Sequence, residues 1–157
     1  MRIRRVGVPV FLAVAAVFLA LQACEGNGEV KTSKAGEDES HNHGKDCMKC
    51  HYKTGPGEGT WTVAGSAWNL ARDGKYSGQA TMKIYSEKGG KGKLYMSVPM
   101  DAKGNFYTSM PMDFKHNPAY VRIETASNTY EMPYQLVHGA CNDCHGDGGT
   151  ASRITLQ

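Results

Sequence analysis

Ala80-Thr81-Met82-Lys83-Ile84-Tyr85 alternates apolar and polar or amphipathic side chains with a period of two. Leu94-Tyr95-Met96-Ser97-Val98-Pro99-Met100 repeats the pattern after Gly89-Gly90, whose pairing suits a tight turn. Successive side chains of a strand point to opposite faces, so both runs are half-buried strands. Working outward, Phe106-Tyr107-Thr108, Val121-Arg122-Ile123-Glu124 and Tyr130-Glu131-Met132 keep the alternation. Asp73-Gly74, Lys103-Gly104-Asn105 and Ser127-Asn128 separate the runs with turn residues. Trp61 to Trp68 is a further strand, in which Gly65 marks a bulge or a close contact. No 12-residue window carries a helical stripe. The expected fold is mainly β, a small antiparallel β-sandwich of about six to seven strands over residues 60–135.

Two fragments, Val63-Ala64-Gly65-Ser66-Ala67 and Asp101-Ala102-Lys103-Gly104-Asn105-Phe106, resemble the opening and the glycine turn of the carboxypeptidase-regulatory-like (transthyretin-like) β-sandwich. That resemblance implies a fold and no catalytic residue.

The amino-terminal end is a different material. Arg2, Arg4 and Arg5 precede an apolar run from Val6 to Leu21, which is short for a bilayer span and suits an export signal. Leu21-Gln22-Ala23-Cys24 resembles the lipobox of bacterial lipoproteins, which implies cleavage after residue 23 and lipidation of Cys24. Residues 24–45 are polar and charged, with too little apolar surface to offset ordering, and are expected to be a flexible tether. The whole chain has 18 Lys+Arg against 15 Asp+Glu; without the three leader arginines the count is 15 against 15. Charge gives no reason to expect nucleic acid as a partner.

Residues 46–157 hold four of the five cysteines in two identical frames, Cys47-Met48-Lys49-Cys50-His51 and Cys141-Asn142-Asp143-Cys144-His145. Each is C-x-x-C-H. Two thiols three residues apart lie on one side of a helical turn, where they can form thioethers to the two vinyl groups of one porphyrin edge. The histidine that follows can reach the iron. Other uses of four cysteines fit less well. The 90 residues between Cys50 and Cys141 far exceed the roughly 15–20 of a zinc ribbon. A thioredoxin-like dithiol needs a βαβ pattern that is missing, and disulfides across three residues would constrain little.

The windows 41–51 and 138–145 resemble the haem-binding segments of exported multihaem c-type cytochromes. The resemblance implies two covalent haem c groups, held by Cys47, Cys50, Cys141 and Cys144, with His51 and His145 as proximal iron ligands. His43 and His138 stand just upstream of the frames. A crossed arrangement is expected, with His138 on the first haem and His43 on the second. The bland alternative leaves His41, His43 and His116 solvated. Met96, Met100, Met110 and Met112 have the spacing of core residues.

The expected function is electron transfer by a lipid-anchored dihaem cytochrome of the bacterial outer membrane, facing the periplasm or the cell surface. Its partners would be other redox proteins, the membrane through the lipid, and copies of itself through haem contacts. It would not be an enzyme. The rival readings are a dihaem peroxidase or reductase with one open iron, and a glycan- or partner-binding sandwich using Trp61, with accessory haem.

Overall fold

The computed structural model describes residues 29–157. The expected leader and Cys24, the expected site of lipidation, lie outside the described residues. Among the described residues six strands follow in chain order: β1 (Val63–Ser66), β2 (Ala80–Glu87), β3 (Lys91–Pro99), β4 (Asn105–Thr108), β5 (Tyr120–Thr125) and β6 (Thr129–Glu131). The helical pieces among the described residues are a 3₁₀ turn, Cys47–Lys49, and a short helix, α1 (Cys141–His145). Every strand pair is antiparallel. They form a four-stranded sheet in the order β3-β2-β5-β6 and a two-stranded sheet, β1-β4. The fold is mainly β, as the alternation predicts.

The larger sheet follows directly from its side chains. Met82 and Ile84 on β2, Met96 and Val98 on β3, and Ile123 on β5 are buried. They sit at paired positions, Met82 opposite both Val98 and Ile123, and Ile84 opposite Met96. Burying each such side chain stabilises the fold by about 1.5–3 kcal/mol. The β2–β3 hairpin turns at Gly89 and Gly90, both at positive φ (75° and 67°), a backbone region that glycine enters without steric cost. Val63 on β1 and Phe106 on β4 join the same buried cluster, so one core draws on both sheets.

The smaller sheet is widened by unlabelled segments on both edges. Residues 31–33 run beside β4: Thr32 bridges Thr108, and the Ser33 N–H donates to Tyr107 O at 2.9 Å. Ser33 is fully buried, and its Oγ donates to Pro99 O at 2.6 Å. Residues 31–33 fall within the stretch 24–45 expected to be a flexible tether. The segment is polar, but it is ordered by hydrogen bonds to a strand edge rather than by apolar burial. On the other edge, Ala64 bridges Ala140, and the Ala64 N–H donates to Gly139 O at 2.9 Å. Residues 154–156 close beside Trp68. The stretches leading into both cysteine frames are thereby brought to the β1-β4 sheet.

Candidate functional site

The second frame is α1 itself, packed on β1. Asn142 is the hub of that packing. Its Oδ1 accepts from the Ser66 N–H at 2.9 Å, and its Nδ2 donates to Ser66 Oγ and to Lys45 O, both at 2.8 Å. Gly65 makes the approach possible. A Cβ there would stand 2.5 Å from Phe106 Cζ and 2.8 Å from Cys141 Cβ. The β1–β4 register runs unbroken through Gly65, so its role is the close contact and not a bulge. Cys141, Cys144 and His145 line a cavity of about 320 Å³ with the core residues Phe106, Ile123 and Leu136 and with Tyr130, Met132 and Ile154. Apolar walls with a few placed polar groups are the usual form of a cofactor pocket.

The first frame sits at the rim. Its 3₁₀ turn contains no buried residue and is capped by Asp46, whose Oδ1 accepts from the Met48 N–H at 3.0 Å. Cys47 is half-buried and Cys50 exposed. Cys47, Cys50 and His51 line a larger and more polar cavity of about 780 Å³, with His41, Trp61 and Tyr107 among its walls. The His51 ring stacks on Trp61 at 5.1 Å between centroids, and Trp61 packs against Tyr107 at 4.7 Å. An aromatic wall therefore stands directly behind the histidine. Trp61 is half-buried in it rather than presented on an open surface.

Despite these different settings, the two frames continue in the same way. His51 Nδ1 donates to Glu58 O at 2.9 Å, and His145 Nδ1 donates to Ser152 O at 2.6 Å. The carbonyl lies seven residues beyond the histidine in both. One residue earlier the same offset recurs with the polarity reversed: Cys50 O accepts from the Gly57 N–H at 3.0 Å, and Cys144 O from the Ala151 N–H at 2.9 Å. Residues 47–58 and 141–152 are thus two copies of one loop. A proton held on Nδ1 by a carbonyl leaves the Nε2 lone pair free, which is the orientation a metal-ligating histidine requires. Spacing within C-x-x-C-H does not reveal this support. The glycine-rich runs after each histidine (Gly55 and Gly57; Gly146, Gly148 and Gly149) were the available signal.

The frames are neighbours. Besides the Asn142–Lys45 bond, the Asp147 N–H donates to Gly44 O at 2.7 Å, and Lys45 pairs with Asp147 at 3.5 Å. The cavities open on opposite faces of β4, since Phe106 lines the one beside α1 while Asn105 and Tyr107 line the other. A two-stranded ribbon separates them.

The crossed arrangement expected for His43 and His138 is set against these positions of the remaining histidines. His138 lines the cavity of its own frame, and its Nδ1 accepts from the Ala140 N–H at 3.3 Å. His43 lines neither cavity. It is half-buried, its Nε2 donating to Ala67 O at 2.9 Å and its ring set edge-on to Trp68 at 4.7 Å. His116 is on the surface, paired with Asp113 at 2.7 Å. Met96 and Met100 are in the core, and Met110 and Met112 pack against it. Met132, which spacing did not single out, is the methionine that lines a frame's cavity.

Burial shapes the thiols. It pushes Cys141 up to about 12, with the neighbouring Cys47 thiol adding to the effect. It pushes Cys47 up to about 11, aided by the Asp46 carboxylate. Metal–thiolate sites need the opposite shift. Among the described residues, no group of three or more His, Cys, Asp or Glu side chains is placed to hold a metal ion. The four thiols face two separate cavities in pairs, each beside a histidine with an anchored Nδ1. That donor set fits two planar groups attached through sulfur better than one ion held by four thiolates. No family model, curated protein or solved structure matches this chain.

Proposed function

We propose that the protein is a dihaem c-type cytochrome that carries electrons in the bacterial envelope. The observation that supports this best is the duplicated loop, in which His51 and His145 each donate Nδ1–H to the carbonyl seven residues on, at 2.9 and 2.6 Å. Nothing in the sheets needs that duplication. Two sites that must each present a histidine Nε2 beside a pair of thiols do need it.

Cys47 and Cys50 would hold one haem, and Cys141 and Cys144 the other. When bound, the haem supplies a one-electron iron couple whose potential is set by axial ligands, hydrogen bonding and burial. The chain's own part is to orient. Glu58 O and Ser152 O fix the two imidazoles, Trp61 backs the first, and Phe106, Ile123 and Leu136 exclude water from the second. The two cavities lie on opposite faces of β4, and in this reading electrons would pass between the two haems across that ribbon. Cys24 would carry the lipid and place the domain at the outer membrane. Redox proteins, including copies of this chain, would be its partners.

The test is production of the full chain in a host with a cytochrome c maturation system. Intact mass should show two added haems, and a reductive titration should show two one-electron steps. A colourless product of unmodified mass would end the proposal. A rapid peroxidase or nitrite reductase turnover would move it to the enzymatic reading.

A further inference from the structure

Resting on the two-haem reading, the geometry points to a different sixth ligand for the first site. We infer that His41, and not His43 or His138, completes the coordination of the iron held at Cys47-Met48-Lys49-Cys50-His51.

The first observation is a separation. The rings of His41 and His51 lie 5.8 Å apart between centroids, tilted by 41°. Two imidazoles bound on opposite sides of one metal, each at about 2 Å with its ring centre roughly 1 Å further back, have centroids about 6 Å apart. The second is location. His41 lines the same cavity as Cys47, Cys50 and His51, whereas His43 and His138 do not. The third is freedom. His41 is exposed, and the only ring packed against it among the described residues is that of His51. His43 is occupied by Ala67 O and Trp68.

The backbone explains why two histidines one residue apart part company. Asn42, between them, is left-handed at φ 53°, and the Lys45 N–H closes a turn onto Asn42 O at 2.9 Å. Asparagine is among the few residues that tolerate this region. The turn sends His43 inward beneath Trp68 and leaves His41 over the frame. The second site has no matching pair. His138 accepts a backbone N–H at Nδ1, which in the neutral ring puts its proton on Nε2 and leaves no lone pair there for iron.

The experiment uses the haem-loaded full chain. Mass and the pyridine haemochrome assay first establish two haems, and absence of haem would sink the underlying reading rather than this assignment. Ferric EPR and optical spectra of His41→Ala and His43→Ala are then compared with wild type. His41→Ala should convert one equivalent of low-spin haem to high-spin, and added imidazole should restore it. His43→Ala should leave the spin count unchanged. An unchanged spin count in His41→Ala, or the loss appearing in His43→Ala instead, overturns the assignment. Should His41→Ala fail to accumulate, His41→Met decides. A thioether at that position keeps the haem low-spin and raises one of the two potentials, while two unchanged potentials overturn it.

Discussion

The two cysteine frames share one loop and differ in what lies behind it. Residues 141–152 are built into the protein: α1 packs on β1, Asn142 is buried, and the cavity wall is the core itself. Residues 47–58 sit on the rim, with no buried residue in the turn, an exposed Cys50 and a polar cavity. The frames carry the same chemistry in their motifs, so the difference comes from what each is packed against. With the proposed haems bound, the buried site would lose water and gain apolar contact, which would raise the free-energy cost of a net charge on its iron. A rim site stays closer to solvent and to partners. Electrons entering at the rim and resting in the interior, or the reverse, would follow from that gradient.

The sharpest way to break this contrast is to weigh thiol burial in the haem-free chain. With Cys141 pushed up to about 12 and Cys47 up to about 11 from 9.0, their thiolates at pH 8 should be scarcer by roughly a thousandfold and a hundredfold than at the ordinary value. Alkylation rates by mass spectrometry, folded against urea-unfolded, should follow that order. Both pKa values are raised on folding, so the stability this gives is complete below the unfolded value near 9 and is lost as pH rises from there toward 12. Equal alkylation of Cys141 and Cys47 would erase the distinction between interior and rim.

Next in size is removal of each attachment. Cys141→Ser with Cys144→Ser should cost the holoprotein roughly 3 kcal/mol, because half-buried Tyr130, Met132 and Ile154 lose a covering group along with the core beneath them. Cys47→Ser with Cys50→Ser should cost about 1 kcal/mol or less. Urea midpoints of the two single-haem proteins, compared with wild type, check this.

What the sequence made legible follows the same division. Strands β2, β3 and β5 were readable because their alternation is enforced by one buried face, as Met82, Ile84, Val98 and Ile123 show. Leu94 keeps the pattern yet is 45% exposed, since β2 and β3 slip register at Tyr85, near the hairpin end. The C-x-x-C-H spacing gave the cysteines and both proximal histidines as candidates. It could not give their carbonyl partners, because Glu58 and Ser152 contribute only backbone and leave no side-chain signature. The positions of the upstream histidines were hidden for a related reason. Proximity in sequence assigned His43, but a left-handed Asn42 decides direction, and no composition rule announces it. Residues 31–33, inside the stretch 24–45 expected to be a tether, are held to β4 by hydrogen bonds that a hydropathy pattern does not register.

Asn142 and Met48 occupy the same place in the two frames, which makes them a matched pair. Asn142→Ala strands the Ser66 N–H and Lys45 O, each at about 1–3 kcal/mol, so a loss of about 2–4 kcal/mol is expected. The Met48→Ala change removes half-exposed contacts and should cost under about 1 kcal/mol. Thermal unfolding of both variants would show whether the interior frame is the one that ties residues 44–47 to the sheet.

The smallest effect concerns how a frame without packing keeps its shape. Asp46 caps the first turn, whereas the residue at that place in the second frame, Ala140, makes no side-chain cap. The second turn can do without one because β1 holds it through Asn142. The first has no such support, so its first backbone donor depends on a carboxylate. Asp46→Ala should therefore release about 1 kcal/mol locally and little globally. Hydrogen exchange at Met48 should speed up about fivefold, with the amides of α1 unchanged. Asp46→Asn separates cap from charge: it keeps the acceptor for Met48, so exchange stays slow, but removes the carboxylate that helps hold Cys47 up, so that thiol becomes more reactive. Should both variants exchange like wild type, the rim turn must be held by what is attached to its sulfurs, and the two frames would be more alike than their packing suggests.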